Sequence, residues 1–334
     1  MSLKYVQIET TSICNHRCYF CPVSMDQREK SELSLENVEK IIAGLHGYPV
    51  ETIVLSGFME ATYDKGLIEK VAAIRQAGYN VSIYSNGSGL QPELTDQLLQ
   101  LGVSQFTFNL STLDEASYRQ TRGSRDLPRV LANIDYLIAQ IPVQTGKVTV
   151  DLVVIGALDQ HHAMNFQLIQ ERFARTPISR ILLIPMVEFA GKTDQRLLPV
   201  KLNHQKLRGC LWQRDQEWLH FDASGEGILC CHDYFSSYKM GNIRDRSVTE
   251  IYQGDAIQQW RRWIGGEEEA PDDFICRRCA YAVGENHIEY LRSTFCDRCQ
   301  LPQLLGGDQA CKSCGDVGLV IDWIESHPEF LSIA

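Results

Sequence analysis

The segment Cys14-Asn-His-Arg-Cys18-Tyr-Phe-Cys21 constrains this chain more than any other feature of it. Gaps of three and then two residues bring three sulfurs onto one side of a tight loop, as a cubane iron–sulfur cluster requires. No fourth cysteine is near, since the next along the chain is Cys210. Three protein ligands on a 4Fe–4S cluster leave one iron open, and an open metal position is where a substrate or cofactor binds. The alternatives are a zinc knuckle, which wants a fourth ligand, or three unrelated buried thiols.

A loop of this kind needs a fold to hold it. The chain has 334 residues and 44% hydrophobic content, enough core for one large domain or two to three smaller ones. A net charge of −10 argues against a nucleic-acid partner or an anionic membrane, because phosphate contacts need a basic surface. The first residues, Met-Ser-Leu-Lys-Tyr-Val-Gln-Ile-Glu, carry no secretory apolar stretch, and no apolar run approaches a spanning length. Twelve cysteines without an export signal point to metal binding in a reducing compartment rather than to disulfides. A cytoplasmic location is therefore expected.

From residue 5 to about 190, short β-branched runs alternate with helical periodicity. Strands are expected at 6–9, 52–55, 81–84, 106–110, 148–155 and 181–184. Helices are expected between them: one N-capped by Ser34 and stopped by Gly47, one at 67–77 before Gly78, and one opened by Pro92. Two more cover 130–138 and 165–173. Six strands alternating with helices imply an α/β fold with parallel pairing and right-handed crossovers, and a partial (β/α)6 TIM-like barrel is the preferred reading. In such barrels the chemistry gathers on loops after the C-terminal ends of strands, which is where the cysteine loop falls.

The loops after the later strands complete a pattern. Ser56-Gly57-Phe58-Met59-Glu60 follows the second strand and Tyr84-Ser85-Asn86-Gly87 the third; Asn109-Leu110-Ser111 ends the fourth, with Arg122-Gly123 beyond it. Together with the cysteine loop and its aromatic pair Tyr19-Phe20, these resemble the radical S-adenosylmethionine (SAM) superfamily over roughly the first 190 residues. The resemblance implies that SAM chelates the open iron of the cluster on Cys14, Cys18 and Cys21. It implies a SAM adenine contact at Phe20 and a Gly-Gly-Glu-like element at Gly57 and Glu60 that meets the SAM amine. Asn86 stands in a Thr-Asn-Gly-like turn, Ser111 and Arg122 where ribose or carboxylate contacts occur, and Ile155 near the adenine. Phe58 and Met59 depart from the family form, in which a second glycine is common.

The other nine cysteines all lie downstream. Cys210, Gly225 and Cys230 are spaced C-x14-G-x4-C, and Cys276-Arg-Arg-Cys279 follows a helical stretch containing Trp260 and Trp263. This order resembles the auxiliary-cluster domain called Twitch, a shortened relative of the SPASM domain. The resemblance implies a small Cys-rich α+β domain in which Cys210, Cys230, Cys276 and Cys279 fully ligate a second 4Fe–4S cluster; zinc on the same four is the alternative. The next cysteine of a full SPASM pattern is missing, because residue 285 is Glu. Instead Cys296, Cys299, Cys311 and Cys314 form two C-x2-C knuckles, which suit zinc or a further 4Fe–4S cluster. Cys231 is a spare ligand or a buried thiol. The expected organisation is 1–195 barrel, 196–290 auxiliary-cluster domain and 291–334 metal-binding tail.

By this resemblance the protein generates a 5′-deoxyadenosyl radical from SAM and removes hydrogen from an unactivated C–H. Asp233, three residues past Cys230, is a proton-acceptor candidate, with His232 and Glu188 behind it. Modification of a ribosomally made peptide, by crosslinking, epimerisation or splicease-type excision, is the first substrate expectation. Oxidation of an aminocyclitol or sugar alcohol is the second. A core beginning by residue 5 leaves no room for an N-terminal leader-binding domain, so a separate leader-binding partner is expected for a peptide. An external one-electron reductant is needed in either case.

Overall fold

Alternation along each strand decides which side of the sheet is dry. In the computed structural model, which describes residues 3–25, 28–141, 148–157, 159–187, 189 and 203–284, the six expected strands form one parallel array. They are β1 (Tyr5–Ile8), β2 (Thr52–Leu55), β3 (Asn80–Ser85), β4 (Gln105–Asn109), β5 (Thr149–Gly156) and β6 (Arg180–Pro185), each paired in parallel with the next. Val6, Ile8, Ile53, Leu55, Val81, Ile83, Phe106, Phe108, Val150 and Leu152 are at most 1% exposed and fill one core. Each such side chain contributes about 1.5–3 kcal/mol relative to leaving it in water. The intervening positions are different in kind: Tyr5, Gln7, Ser82, Tyr84, Thr107 and Asp151 line the inner face, and Tyr84 keeps 44% of its surface exposed. This polar inner face is open at Tyr5 and Tyr84 and buried at Gln7, Ser82, Thr107 and Asp151.

The helices covering the dry face are α1 (Leu35–Gly44), α2 (Leu67–Gln76), α3 (Pro92–Gln100), α4 (Glu115–Arg122), α5 (Leu127–Gln140) and α6 (Gln160–Phe173). Ser34 caps α1 by accepting the Asn37 N–H at 3.2 Å, as expected. Helix α4 was not expected. Only Tyr118 and Arg122 of its eight residues are buried, so it lacks the apolar stripe that marks a helix in sequence. Asp114 caps its start, accepting from Ser117 N at 2.7 Å, and Gly123 ends it in the left-handed region.

The second half supplies β7 (Leu207–Cys210), α7 (Arg214–Glu217), β8 (Trp218–Phe221), β9 (Glu226–Ile228), β10 (Lys239–Asn242), α8 (Val248–Gln253), α9 (Asp255–Gly265) and β11 (Ala282–Gly284). Strand β8 lies parallel to β1, with Tyr5 opposite Trp218 and Ile8 opposite Phe221. Strands β9 and β10 then continue antiparallel, giving nine strands in the order β10-β9-β8-β1-β2-β3-β4-β5-β6. The auxiliary hairpin thus shares a sheet with the barrel. β7 and β11 form a separate antiparallel pair. Trp260 and Trp263 pack at 5.5 Å on Tyr238 and 5.1 Å on Phe274, as core residues of α9. The boundary expected at 195/196, Glu188 and the tetrad Cys296, Cys299, Cys311 and Cys314 lie outside the described residues.

Candidate functional site

The cysteine loop leaves the C-terminal end of β1 and is fixed at several points. Cys21 N donates to Cys18 O at 2.9 Å, closing the turn, and the Arg17 guanidinium donates to Cys14 O at 2.9 Å. The end of α4 receives the loop: Arg17 N donates to Arg122 O at 2.9 Å and Tyr19 N to Thr121 O at 3.0 Å. From the β3 side, Asn86 Nδ2 donates to Asn15 Oδ1 at 2.8 Å, and Asn15 Nδ2 to Ser88 Oγ at 2.9 Å. Asn86 therefore positions the loop. His16, only 1% exposed, reaches Asp126 Oδ2 at 3.4 Å. The three cysteines are partly buried, and burial pushes Cys14 and Cys21 up to about 12. Without a metal Cys14 and Cys21 are therefore neutral thiols, and binding one would release their protons.

Beside the loop, a cavity opens over the ends of β4 and β5, and Phe20, Ser111, Arg122 and Ile155 all line it. Arg122 is its centre. The guanidinium donates to Asn109 Oδ1 at 2.7 Å and Ser111 Oγ at 2.8 Å, reaches Cys18 Sγ at 3.5 Å, and sits 4.8 Å from the Phe20 ring centroid. Ile155 N donates to Ser111 Oγ at 2.9 Å, which fixes that hydroxyl between two strands. His162, Asn165 and Thr112 line the same cavity and were not anticipated. They lie in a helix and a loop whose pattern gives no sign of them. His162 is held by Val154 O at 2.9 Å, and burial lowers its pKa, so the ring is neutral.

Glu60 lies between the β2 loop and the β3 loop. It is 1% exposed and its carboxylate accepts four protein donors: Thr62 Oγ1 at 2.8 Å, Thr62 N at 3.3 Å, Ser85 Oγ at 2.7 Å and Asn86 N at 2.6 Å. Those four fill its lone pairs, so the side chain ties the β2 loop to the β3 loop. Burial raises its pKa, and the donors from Asn86, Ser85 and Thr62 oppose that rise. Gly57 has φ +144°, and a Cβ there would meet Glu9 Oε1 at 2.3 Å. Glu9, buried at the end of β1, accepts the Phe58 N–H at 2.7 Å and pairs with Arg28 at 2.8 Å. The second carboxylate that shapes this loop is therefore Glu9, which reads in sequence as an ordinary strand end.

In the second half, Cys210, Cys230, Cys276 and Cys279 line one small cavity with apolar neighbours Leu229 and Ile264. Cys210 ends β7, Cys230 follows β9, Cys276 lies in a short 3-10 turn (Ile275–Arg278) after α9, and Cys279 caps that turn. Cys231 points elsewhere. It lines a second cavity of about 180 Å³ at the barrel mouth, together with Gln7, Gly57, Phe58, Tyr84 and Trp218. The adjacent Cys230 and Cys231 thiols hydrogen-bond to each other, which raises Cys230 and lowers Cys231. Burial works against the Arg214 charge, but the surrounding Cys231, Cys230 and Cys210 thiols hold its pKa above the ordinary guanidinium value. Burial, with Arg214 nearby, lowers His232 to about 3. Asp233 is 2% exposed and accepts the Tyr238 N–H at 2.7 Å within the turn after Cys230; it is not among the residues lining either cavity.

Comparison with known proteins joins these features. A model of the Radical SAM superfamily matches residues 8–165, and the SPASM iron-sulfur cluster-binding domain matches residues 210–280. The chain carries a radical SAM domain followed by a SPASM domain. It is 28% identical over 351 residues to the tungsten-containing aldehyde ferredoxin oxidoreductase cofactor-modifying protein of Pyrococcus furiosus, covering 93% of this chain and 94% of that one. Among solved structures, SuiB of Streptococcus suis bound to precursor peptide SuiA matches with TM-score 0.62 and 13% identity, over 83% of this chain and 70% of that one. BtrN in complex with AdoMet and 2-DOIA matches with TM-score 0.55 and 16% identity, over 86% and 97%. At these identities the two structures share the fold.

A radical SAM domain implies a 4Fe–4S cluster and SAM, and a SPASM domain implies auxiliary iron–sulfur clusters. The residues present fit both groups. The Cys14 loop offers three thiols beside a cavity holding an aromatic ring, a guanidinium and hydroxyl groups, which suits the adenine, carboxylate and ribose of SAM. The second place offers four cysteines around a largely apolar cavity, with a cation on its wall. Among the described residues no three His, Cys, Asp or Glu side chains converge on a single-ion site. No described helix is long and apolar enough to cross a membrane.

Proposed function

We propose that this radical SAM protein is an enzyme whose substrate occupies the cavity between the Gly57-Phe58 loop and Cys231-His232. One observation carries the reading: that single cavity touches both the loop after β2 and the residues next to Cys230. In this reading Cys14, Cys18 and Cys21 hold the cluster with the open iron, and Phe20, Ser111, Arg122 and Ile155 surround SAM. Asn86 and Glu60 hold the loops in place rather than the cofactor. Gly57 lets the backbone pass close to Glu9 and the substrate. Cys210, Cys230, Cys276 and Cys279 hold an auxiliary cluster.

The cluster and SAM, held by Cys14, Cys18 and Cys21 and by Phe20, Ser111, Arg122 and Ile155, would supply one-electron cleavage of SAM and hydrogen-atom abstraction from the substrate. The chain's own residues orient and protect. Arg122 can accept a carboxylate on the side not used by Asn109 and Ser111, because its Nε is buried without a hydrogen-bond partner. Phe58 packs on Tyr234 at 4.8 Å and Phe189 at 5.5 Å, closing the cavity wall against water. His232 lines the substrate cavity and Asp233 does not, so the neutral His232 ring is the better placed of the two to hydrogen-bond the substrate.

The substrate favoured here is one residue of a ribosomally made peptide, presented by a separate leader-binding protein, with an external one-electron reductant. A cavity of about 180 Å³ takes a single side chain rather than a whole folded domain. A small-molecule substrate is the second reading, favoured by a specific observation: the Pyrococcus relative that aligns end to end is named for modifying a cofactor. Reduced, reconstituted protein should cleave SAM to 5′-deoxyadenosine, and a Cys14→Ala/Cys18→Ala/Cys21→Ala variant should not; undiminished cleavage in that variant would overturn the assignment. Deuterium passing into 5′-deoxyadenosine from labelled peptide, or only from labelled small molecules, then separates the two substrate readings.

A further inference from the structure

The auxiliary cavity and the barrel-mouth cavity are neighbours, and two side chains, Arg214 and His232, line both. Arg214 opens α7, the short helix between β7 and β8, and its guanidinium lies 5.1 Å from the Trp218 ring centroid. Its Nε is buried and has no hydrogen-bond partner, and no carboxylate among the described residues forms an ion pair with it. A cation in such a place is costly unless an anion compensates it. Asp215, the next residue, also borders the auxiliary cavity, and its neighbour Gln216 donates to it at 2.8 Å.

Two sources of negative charge are available, one on each side. A cluster bound by four thiolates carries net negative charge, and all four cysteines share the cavity with Arg214. Toward the barrel mouth the lining residues are Gln7, Val54, Ser56, Gly57, Phe58, Tyr84, Phe189, Arg214, Trp218, Cys231 and His232, with no carboxylate and no lysine. We propose that Arg214 is a counter-charge shared by the two cavities: it offsets the auxiliary cluster on one side and holds an oxyanion of the substrate, carboxylate or phosphate, on the other. This rests on the reading that Cys210, Cys230, Cys276 and Cys279 hold a cluster. Because one guanidinium serves both anions, the two are linked. Filling the barrel-mouth site with an oxyanion makes the cluster harder to reduce, and reducing the cluster weakens the oxyanion by the same factor.

The test is a redox titration of the reconstituted full-length protein, followed by the paramagnetic signal of the reduced auxiliary cluster, with iron counted in each sample. Arg214→Met should keep its iron and shift the auxiliary potential to more negative values, and Arg214→Lys should shift it less. Inorganic phosphate and acetate, titrated separately at constant ionic strength, should shift the wild-type potential negatively and saturably. The stronger of the two names the oxyanion class, and both should lose at least tenfold in apparent affinity in Arg214→Met. Equal potentials in wild type and both variants would overturn the counter-charge role, and a wild-type potential indifferent to both anions would overturn the oxyanion site. Should Arg214→Met fail to fold, Arg214→Lys and the wild-type anion titration still decide. A wild type without auxiliary iron is a different result, since it refutes the cluster itself.

Discussion

Replacing Glu60 separates two roles that a buried loop carboxylate could play. If it met the SAM ammonium, its charge would matter; if it ties loops together, its lone pairs would. The structure gives it four donors, two from Thr62 and one each from Ser85 and Asn86. Glu60→Ala removes charge-assisted bonds worth ~1.5–3 kcal/mol each and leaves buried donors unpaired, but such losses overlap. A net destabilisation of about 4 kcal/mol is expected, at the upper end for one substitution. Glu60→Gln should lose only about 1 kcal/mol. Its amide oxygen can take the Asn86 N–H, while its amide hydrogens donate to the Ser85 and Thr62 hydroxyls, which are free to turn. Urea unfolding of the holoprotein and calorimetric SAM binding, run on both variants, read the two roles independently. The expected pattern is a large loss of stability in Ala, a small one in Gln, and near-normal SAM affinity in Gln. An equal fall in SAM affinity in both variants with unchanged unfolding midpoints would refute the loop-tie reasoning.

Further outcomes follow from single residues. Arg122→Lys should lower SAM affinity on the order of tenfold or more, because one ammonium cannot span Asn109, Ser111 and Cys18 together; calorimetry checks this. Cys230→Ser should remove about four iron atoms per chain and Cys231→Ser none, since only Cys230 shares a cavity with the other three cysteines. Fully reconstituted protein should hold about twelve iron atoms if Cys296, Cys299, Cys311 and Cys314 bind a further cluster, against about eight with one zinc otherwise, by metal analysis of anaerobically purified protein. His204 is lowered to about 4 by burial, from 6.5. Its folded pKa lies below the unfolded one, so the unfolded chain binds the extra proton between these values. Stability present above pH 6.5 should be lost as pH falls toward 4, by at most about 3 kcal/mol, and His204→Gln should flatten that slope in unfolding experiments.

The barrel was legible because its signals are local. Strands such as Thr52–Leu55 are short β-branched runs, Ser34 and Pro92 mark helix starts, and the cysteine gaps are chemistry written in spacing. Residues expected around SAM from the family resemblance, Phe20, Ser111, Arg122 and Ile155, do come together. What sequence could not give is non-local. Glu60 reads as a loop acid until Ser85 and Asn86 are seen against it. Helix α4 is too polar to announce itself, although its end carries the cysteine loop. Nothing along the chain says that Arg214 will stand between two cavities, because that depends on where β7 and β8 are laid.

The parallel pairing of β8 with β1 has a consequence for how the chain can be divided. Strand β1 sits between β2 and β8, so its backbone groups on one side have no partner until residues 218–221 arrive, more than two hundred positions later. A fragment ending near residue 195 would hold the cysteine loop on a bare edge strand, open to self-association. The two halves therefore complete one sheet, and β1 remains an edge strand until residues 218–221 pair with it.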